Sequence, residues 1–195
     1  MNNKKIIIIF GLTGSGKSSM ANMLAKEFNL RVIHPSSILK ELLQGKHPHI
    51  KNSKEGTGFW ESHEGIKLFK ERLDDKYPLD FTCDKILLKE IEKGDLVMDS
   101  WTMPWLAKDG MKIRLNATIP TRAKRLAKRS NISIQEAKRA ISLRDNATRH
   151  LYLNRFDIKK DNHVFDLVIK TDTLSQEEIL QKILEKIYEK NYSQK

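Results

Sequence analysis

The chain has 195 residues, 39% of them hydrophobic and 31% charged, with one cysteine and a net charge of +11. That length suits a single domain with a hydrophobic core of its own, and the lone Cys83 excludes an internal disulfide framework and fits a reducing compartment. No apolar run approaches a membrane span, so a cytoplasmic protein without a membrane partner is expected.

The opening MNNKKIIIIF has the charge and apolar run of a secretory leader, but Gly11 interrupts the run and a glycine-rich loop follows where a cleavage site would lie. Lys4 to Phe10 reads instead as a buried parallel strand, β-branched and unbroken. It leads into GLTGSGKS, whose spacing G-x-x-x-x-G-K-[ST] is that of a phosphate-binding loop. Met20, Leu24 and Phe28 recur every four residues and predict a helix directly after it. Glycines let successive backbone N–H groups turn inward, and a helix N-terminus favours an anion. The expected cradle for a nucleoside triphosphate is Gly11, Leu12, Thr13, Gly14, Ser15, Gly16, Lys17, Ser18 and Ser19. Lys17 would reach the β- and γ-phosphates, and the Ser18 hydroxyl would take a place on Mg²⁺.

Further apolar runs at 31–33, 95–99, 111–117 and 164–170 are mostly separated by amphipathic segments, which predicts an α/β fold with a parallel sheet flanked by helices. Two insertions interrupt this alternation, one polar and one basic and helical. The expected organisation is one domain: a core of 1–34, 80–121 and 157–195, one insert at 35–79, and a second, able to close over a bound nucleotide, at 122–156. Ser133-x-x-Glu136 and Ser175-x-x-Glu178 read as capping boxes. After the second, Ile179, Leu180, Ile183, Leu184, Ile187 and Tyr188 form one helical face that should pack on the sheet.

Asp99 ends the apolar run DLVMD, where a strand's C-terminal end meets the ligand crevice of an open α/β sheet. Its expected role is to hold Mg²⁺ with Ser18; a capping or solvent-facing aspartate is the alternative. In SWTMPW, Trp101 and Trp105 can stack on a base or fill core space. Arg122, Arg125 and Arg129 fall three and four apart and share a helical face, and RDNATR adds Arg144 and Arg149. Guanidinium forks match phosphate geometry, so these arginines are candidates to neutralise a transferring phosphoryl group, while Lys124 and Lys128 read as a solvated face. The concentration of arginines between Arg114 and Arg155 favours small phosphate esters over nucleic acid as the partner behind the basic balance. His47, His49 and His63 lack a metal-ligand spacing pattern and are read as polar loop residues.

The chain resembles the archaeal-type cytidylate kinases, a branch of the nucleoside monophosphate kinases, nearly end to end. The likeness runs from IIIIFGLTGSGKSSMANMLAKEFNL through ATIPTRAKRLAKRSNIS to FDLVIKTDTLSQEEIL and is weakest over 45–78. It implies a five-stranded parallel core with an acceptor insert and a lid. It further implies Mg²⁺-dependent transfer of the ATP γ-phosphoryl group to CMP or dCMP, giving ADP and CDP or dCDP, by a protein expected to be a monomer. Ser36, Ser37 and Lys40 match the start of the acceptor region, and Asp84 an aspartate of the acceptor pocket. Arg122 and Arg125 match lid arginines near the donor, and Arg144 and Arg149 those bridging the two nucleotides. Four positions depart from the family pattern: Lys40 stands for an arginine, Ser100-Trp101 for glycine-arginine, and Leu151 for a further lid arginine. Other readings are a kinase for a different small acceptor and a nucleotide-dependent RNA-binding protein that keeps the fold.

Overall fold

The structure, a computed structural model, describes residues 4–46, 65–68, 71, 79–155 and 163–192. The strand β1 (Ile6–Phe10) sits at the centre of a five-stranded sheet with β2 (Arg31–Ile33), β3 (Leu96–Asp99), β4 (Met111–Asn116) and β5 (Leu167–Lys170). The order is β2-β3-β1-β4-β5 and every pairing is parallel. A central parallel strand is covered on both faces, which is why β1 is isoleucine at four successive positions, Ile7, Ile8 and Ile9 being fully buried. Each strand falls within the run expected for it; the last begins later, at Leu167 rather than 164.

Alternation along the strands divides the core. Ile7, Ile9, Val97, Ile113, Leu115 and Ile169 face α1 (Lys17–Phe28) and the C-terminal helix, while Ile8, Leu96 and Met98 face α2 (Pro35–Lys46) and α3 (Leu79–Lys93). After β3 a short helix, α4 (Met103–Leu106), brings Trp105 edge-on to Phe10 and Phe165, with ring centroids 5.2 and 5.5 Å apart. Trp105 therefore packs within a half-buried cluster of aromatic rings. The helices α5 (Ile119–Ser130) and α6 (Ile134–Arg155) pack on each other through a small core of Ala123, Leu126, Ala127, Ala137, Ala140 and Ile141.

Both capping boxes form. The Ser133 N–H donates to Glu136 Oε2 at 2.8 Å and the Glu136 N–H to Ser133 Oγ at 3.2 Å; Ser175 and Glu178 repeat the exchange at 2.7 and 3.1 Å. The second box opens α7 (Gln176–Tyr192). Ile179, Ile183 and Ile187 are buried against the sheet, and Leu180 and Leu184 are partly covered. Tyr188 corrects the sequence expectation: it is 49% exposed. It belongs to the 180–184–188 row at the margin of the stripe, and the sheet no longer covers that row so near the helix end.

The contrast is testable by urea unfolding. Ile183→Ala should cost about 2–5 kcal/mol as a core cavity, and Tyr188→Ala about 0.5 kcal/mol or less.

Candidate nucleotide site

The loop after β1 closes on itself: the Ser15 N–H donates to Leu12 O at 3.0 Å, and Gly16, at φ 98°, starts α1. Two glycines are required here by geometry. A Cβ on Gly11 would lie 2.2 Å from Ser15 Oγ, and Gly14 combines φ +80° with a Cβ position 2.7 Å from Arg122 O. Thr13 and Ser15 are buried, and Ser19 is exposed on the first turn of α1. The result is an inward-facing ring of backbone at a helix N-terminus, shaped to hold an anion.

Behind the loop stand two of the arginines singled out in the sequence. Arg122, 3% exposed, donates through Nη1 to Thr13 O at 3.2 Å and grips both oxygens of Asp145 at 3.2 and 2.7 Å. Arg125 donates to Ser15 O at 3.2 Å, to Thr171 Oγ1 at 3.0 Å and to Thr171 O at 2.5 Å. Both guanidinium groups are spent on the back of the loop and on β5's exit, so α5 braces the cradle. Arg129 is exposed at the end of α5. On α6, Arg144 is partly buried and Arg149 exposed; five residues on a helix turn about 140° and separate them. Leu151 lies in α6, and its side chain is outside the described residues, as are His47, His49 and His63.

At the front, Ser18 Oγ donates to Asp99 Oδ2 at 2.5 Å, and Asp99 is only 6% exposed. The other carboxylate oxygen, Oδ1, takes the Nδ1–H of His34 at 2.6 Å, and His34 Nε2 lies 3.1 Å from Asn22 Oδ1. That hydrogen bond to Asp99 raises the His34 pKa above its ordinary value, against the opposing effect of burial. Sequence reasoning missed His34, a histidine with no motif around it. Its signal was positional: it follows β2, and the β2–β3 register sets Ile33 opposite Met98, so His34 falls level with Asp99. Among the described residues no group of three or more His, Cys, Asp or Glu could form a metal cluster. A serine hydroxyl with one carboxylate, both hard oxygen donors, instead suits Mg²⁺ arriving with phosphate ligands.

Lys17 Nζ stands 5.6 Å from the ring centroid of Trp101, within cation–π range, so the half-buried Trp101 flanks the loop lysine. Ser36 and Ser37 are exposed on the first turn of α2, with Lys40 half-buried one turn on. Cys83 Sγ lies 3.8 Å from Pro35 O and joins α3 to α2. One residue further, Asp84 is buried and accepts from Thr102 Oγ1 at 2.6 Å, while its Oδ2 has no hydrogen-bond partner among the described residues. Burial pushes the Asp84 carboxyl up to about 7; the Thr102 bond opposes this and nearby Asp80 adds to it.

A loop of this kind at the mouth of the central strand, with the neighbouring strand's carboxylate on its serine, defines a P-loop nucleotide-binding protein. Solved kinase structures share the architecture. The shikimate kinase of Acinetobacter baumannii, in complex with shikimate, covers 96% of this chain and 95% of its own, with a TM-score of 0.54 at 15% identity. That of Bacteroides thetaiotaomicron covers 94% and 98% with a TM-score of 0.55 at 15% identity; such identities carry the fold alone. In sequence the chain belongs to the cytidylate kinase-like family, whose profile matches residues 6–173. The cytidylate kinase of Sulfurisphaera tokodaii is 34% identical over 89% of this chain and 90% of its own length. That of Pyrococcus horikoshii is 28% identical over 91% and 85%. The protein is accordingly an ATP-dependent phosphotransferase of the nucleoside monophosphate kinase class. No helix among the described residues is long and apolar enough to cross a membrane.

The Asp84 shift has a signed consequence. Between its ordinary 3.8 and about 7 the folded protein keeps a proton that the unfolded chain has released, so this group's contribution to stability falls as pH rises through that window. Asp84→Asn should therefore gain stability over the parent between pH 5 and pH 8, by about 3 kcal/mol at most, since only the part of the window above pH 5 is sampled. Denaturant unfolding at both pH values checks it; equal differences at the two would refute the buried-carboxyl account.

Proposed function

We propose that the protein transfers the γ-phosphoryl group of ATP to CMP or dCMP, giving ADP and CDP or dCDP. The observation that carries this reading is the Ser18–Asp99 contact at the front of the glycine cradle, beside Lys17, in a chain of the cytidylate kinase-like family. The backbone N–H groups of Gly11 to Ser19 hold the donor's phosphates, and Lys17 leaves the Trp101 face to meet the γ-phosphate. Mg²⁺ would be held by Ser18 and Asp99, and when bound it supplies neutralisation of the β- and γ-oxygens. Arg122 and Arg125 keep the loop in shape, while Arg144 and Arg149, on a lid of 122–156, are the arginines that can bring positive charge towards the transferring group, one from each side of their helix.

The acceptor lies between α2, at the start of the insert, and the segment after β3. Lys40, with Ser36 and Ser37, receives its phosphate, and Trp101 walls the pocket where the family pattern has an arginine. The unsatisfied Oδ2 of Asp84 supports a base with both a donor and an acceptor on one edge, as cytosine has: the carboxyl donates to a ring nitrogen while it keeps its proton and accepts from an exocyclic amine once the proton is released.

Two measurements test the proposal. Lys17→Ala should lower turnover by roughly 10²–10³-fold with the fold retained, because the lysine acts where charge develops; turnover within a few-fold of the parent would exclude that role. A coupled assay with Mg-ATP across the common monophosphates should give its highest kcat/KM with CMP or dCMP. Trp101→Arg should raise the preference for CMP over UMP and AMP. A parent that favours another acceptor would overturn the assignment of the base.

A further inference from the structure

We propose that His34 is a positioning residue for the metal-binding carboxylate: with Asn22 it clamps Asp99 so that one oxygen is aimed at the Mg²⁺ position before the nucleotide arrives. This rests on reading Ser18 and Asp99 as the Mg²⁺ ligands. The torsion that turns an aspartate's carboxylate is soft and broad. Here both oxygens are assigned: Oδ1 takes the His34 Nδ1–H at 2.6 Å, which leaves Oδ2 for Ser18 at 2.5 Å. The imidazole is itself held on its far side, where Nε2 lies 3.1 Å from Asn22 Oδ1. Ser18 and Asn22 are four residues apart on α1 and so lie on one side of it.

The four side chains thus close a ring, Ser18–Asp99–His34–Asn22, that begins and ends on the helix whose N-terminus forms the cradle. His34 is not an additional ligand. Both its nitrogens are engaged within the ring, and Mg²⁺ prefers oxygen donors. Partners that orient a metal-binding group commonly matter 10–100-fold for metal affinity.

The test measures binding rather than turnover. ATP affinity is determined by calorimetry with and without Mg²⁺ for the parent, His34→Ala, His34→Asn, Asn22→Ala and Asp99→Asn, each checked by thermal melting. In the parent, Mg²⁺ should strengthen ATP binding. In His34→Ala that gain should shrink about 10-fold or more, with Mg²⁺-free affinity within about twofold of the parent. His34→Asn can still donate one N–H to Oδ1 and should recover part of the gain. Asn22→Ala, which leaves the imidazole in place, should lose less and keeps the test open if His34→Ala does not fold. A full Mg²⁺ gain in His34→Ala, or in Asn22→Ala and His34→Asn together, overturns the clamp. So does an equal loss of ATP affinity with and without Mg²⁺, the mark of a merely structural histidine. If Asp99→Asn also keeps the full gain, the Mg²⁺ assignment itself fails and the clamp with it.

Discussion

The hydrogen bond from Ser18 to Asp99 is the constraint on which the site's geometry depends. It joins the N-terminus of α1 to the C-terminal end of β3, side chains 81 positions apart in sequence. Parallel pairing of β1 with β3 makes it possible, because Ile9 and Asp99 are register partners and the loop leaving β1 must pass the carboxylate. A strand end in an open parallel sheet is where such groups converge. Once Ser18 is held there, the direction of α1 and the mouth of the cradle are set together.

The positive charge at the site has two distinct uses. Arg122 and Arg125 are consumed by the protein itself, on carbonyl oxygens of Thr13, Ser15 and Thr171 and on the Asp145 carboxylate. A buried guanidinium must be matched by acceptors, and backbone carbonyls of a phosphate loop provide them because its N–H groups face the other way. Arg144 and Arg149, on α6, stand on different sides of their helix. The basic composition therefore does not translate directly into cations around the substrate.

The surroundings of Asp84, where we propose that the acceptor binds, are built on a different principle. Asp84 is held in a poorly solvated pocket by Thr102, next to Ser100, whose hydroxyl accepts from the Thr102 and Met103 N–H groups at 3.3 and 3.2 Å. The Oδ2 of Asp84 is left without a hydrogen-bond partner among the described residues. Trp101, at the boundary with the donor site, contributes an aromatic face to Lys17 in place of charge.

What the sequence determined by itself is what is encoded locally. Spacing alone located the phosphate loop; a run of β-branched residues marked β1; two S-x-x-E segments started α6 and α7; and the 3.6-residue period put Ile179, Ile183 and Ile187 on one buried face. Each signal lies within a few residues, and short-range geometry suffices to read it. The placement of Asp99 on Ser18 needed one further step, that strand ends face the crevice. The tertiary structure decided the rest: that His34 meets Asp99, 65 positions on; that Arg122 and Arg125 turn to the loop's back, 109 and 110 positions away; and that Trp105 joins Phe10 while Trp101 stands by Lys17. It also left Tyr188 at the margin of the stripe, in solvent. The physical reason is the strand order β2-β3-β1-β4-β5, which seats β3 between two strands that precede it in the chain. Periodicity reports which face of an element is apolar, and only the packed sheet determines which polar groups meet across its ends.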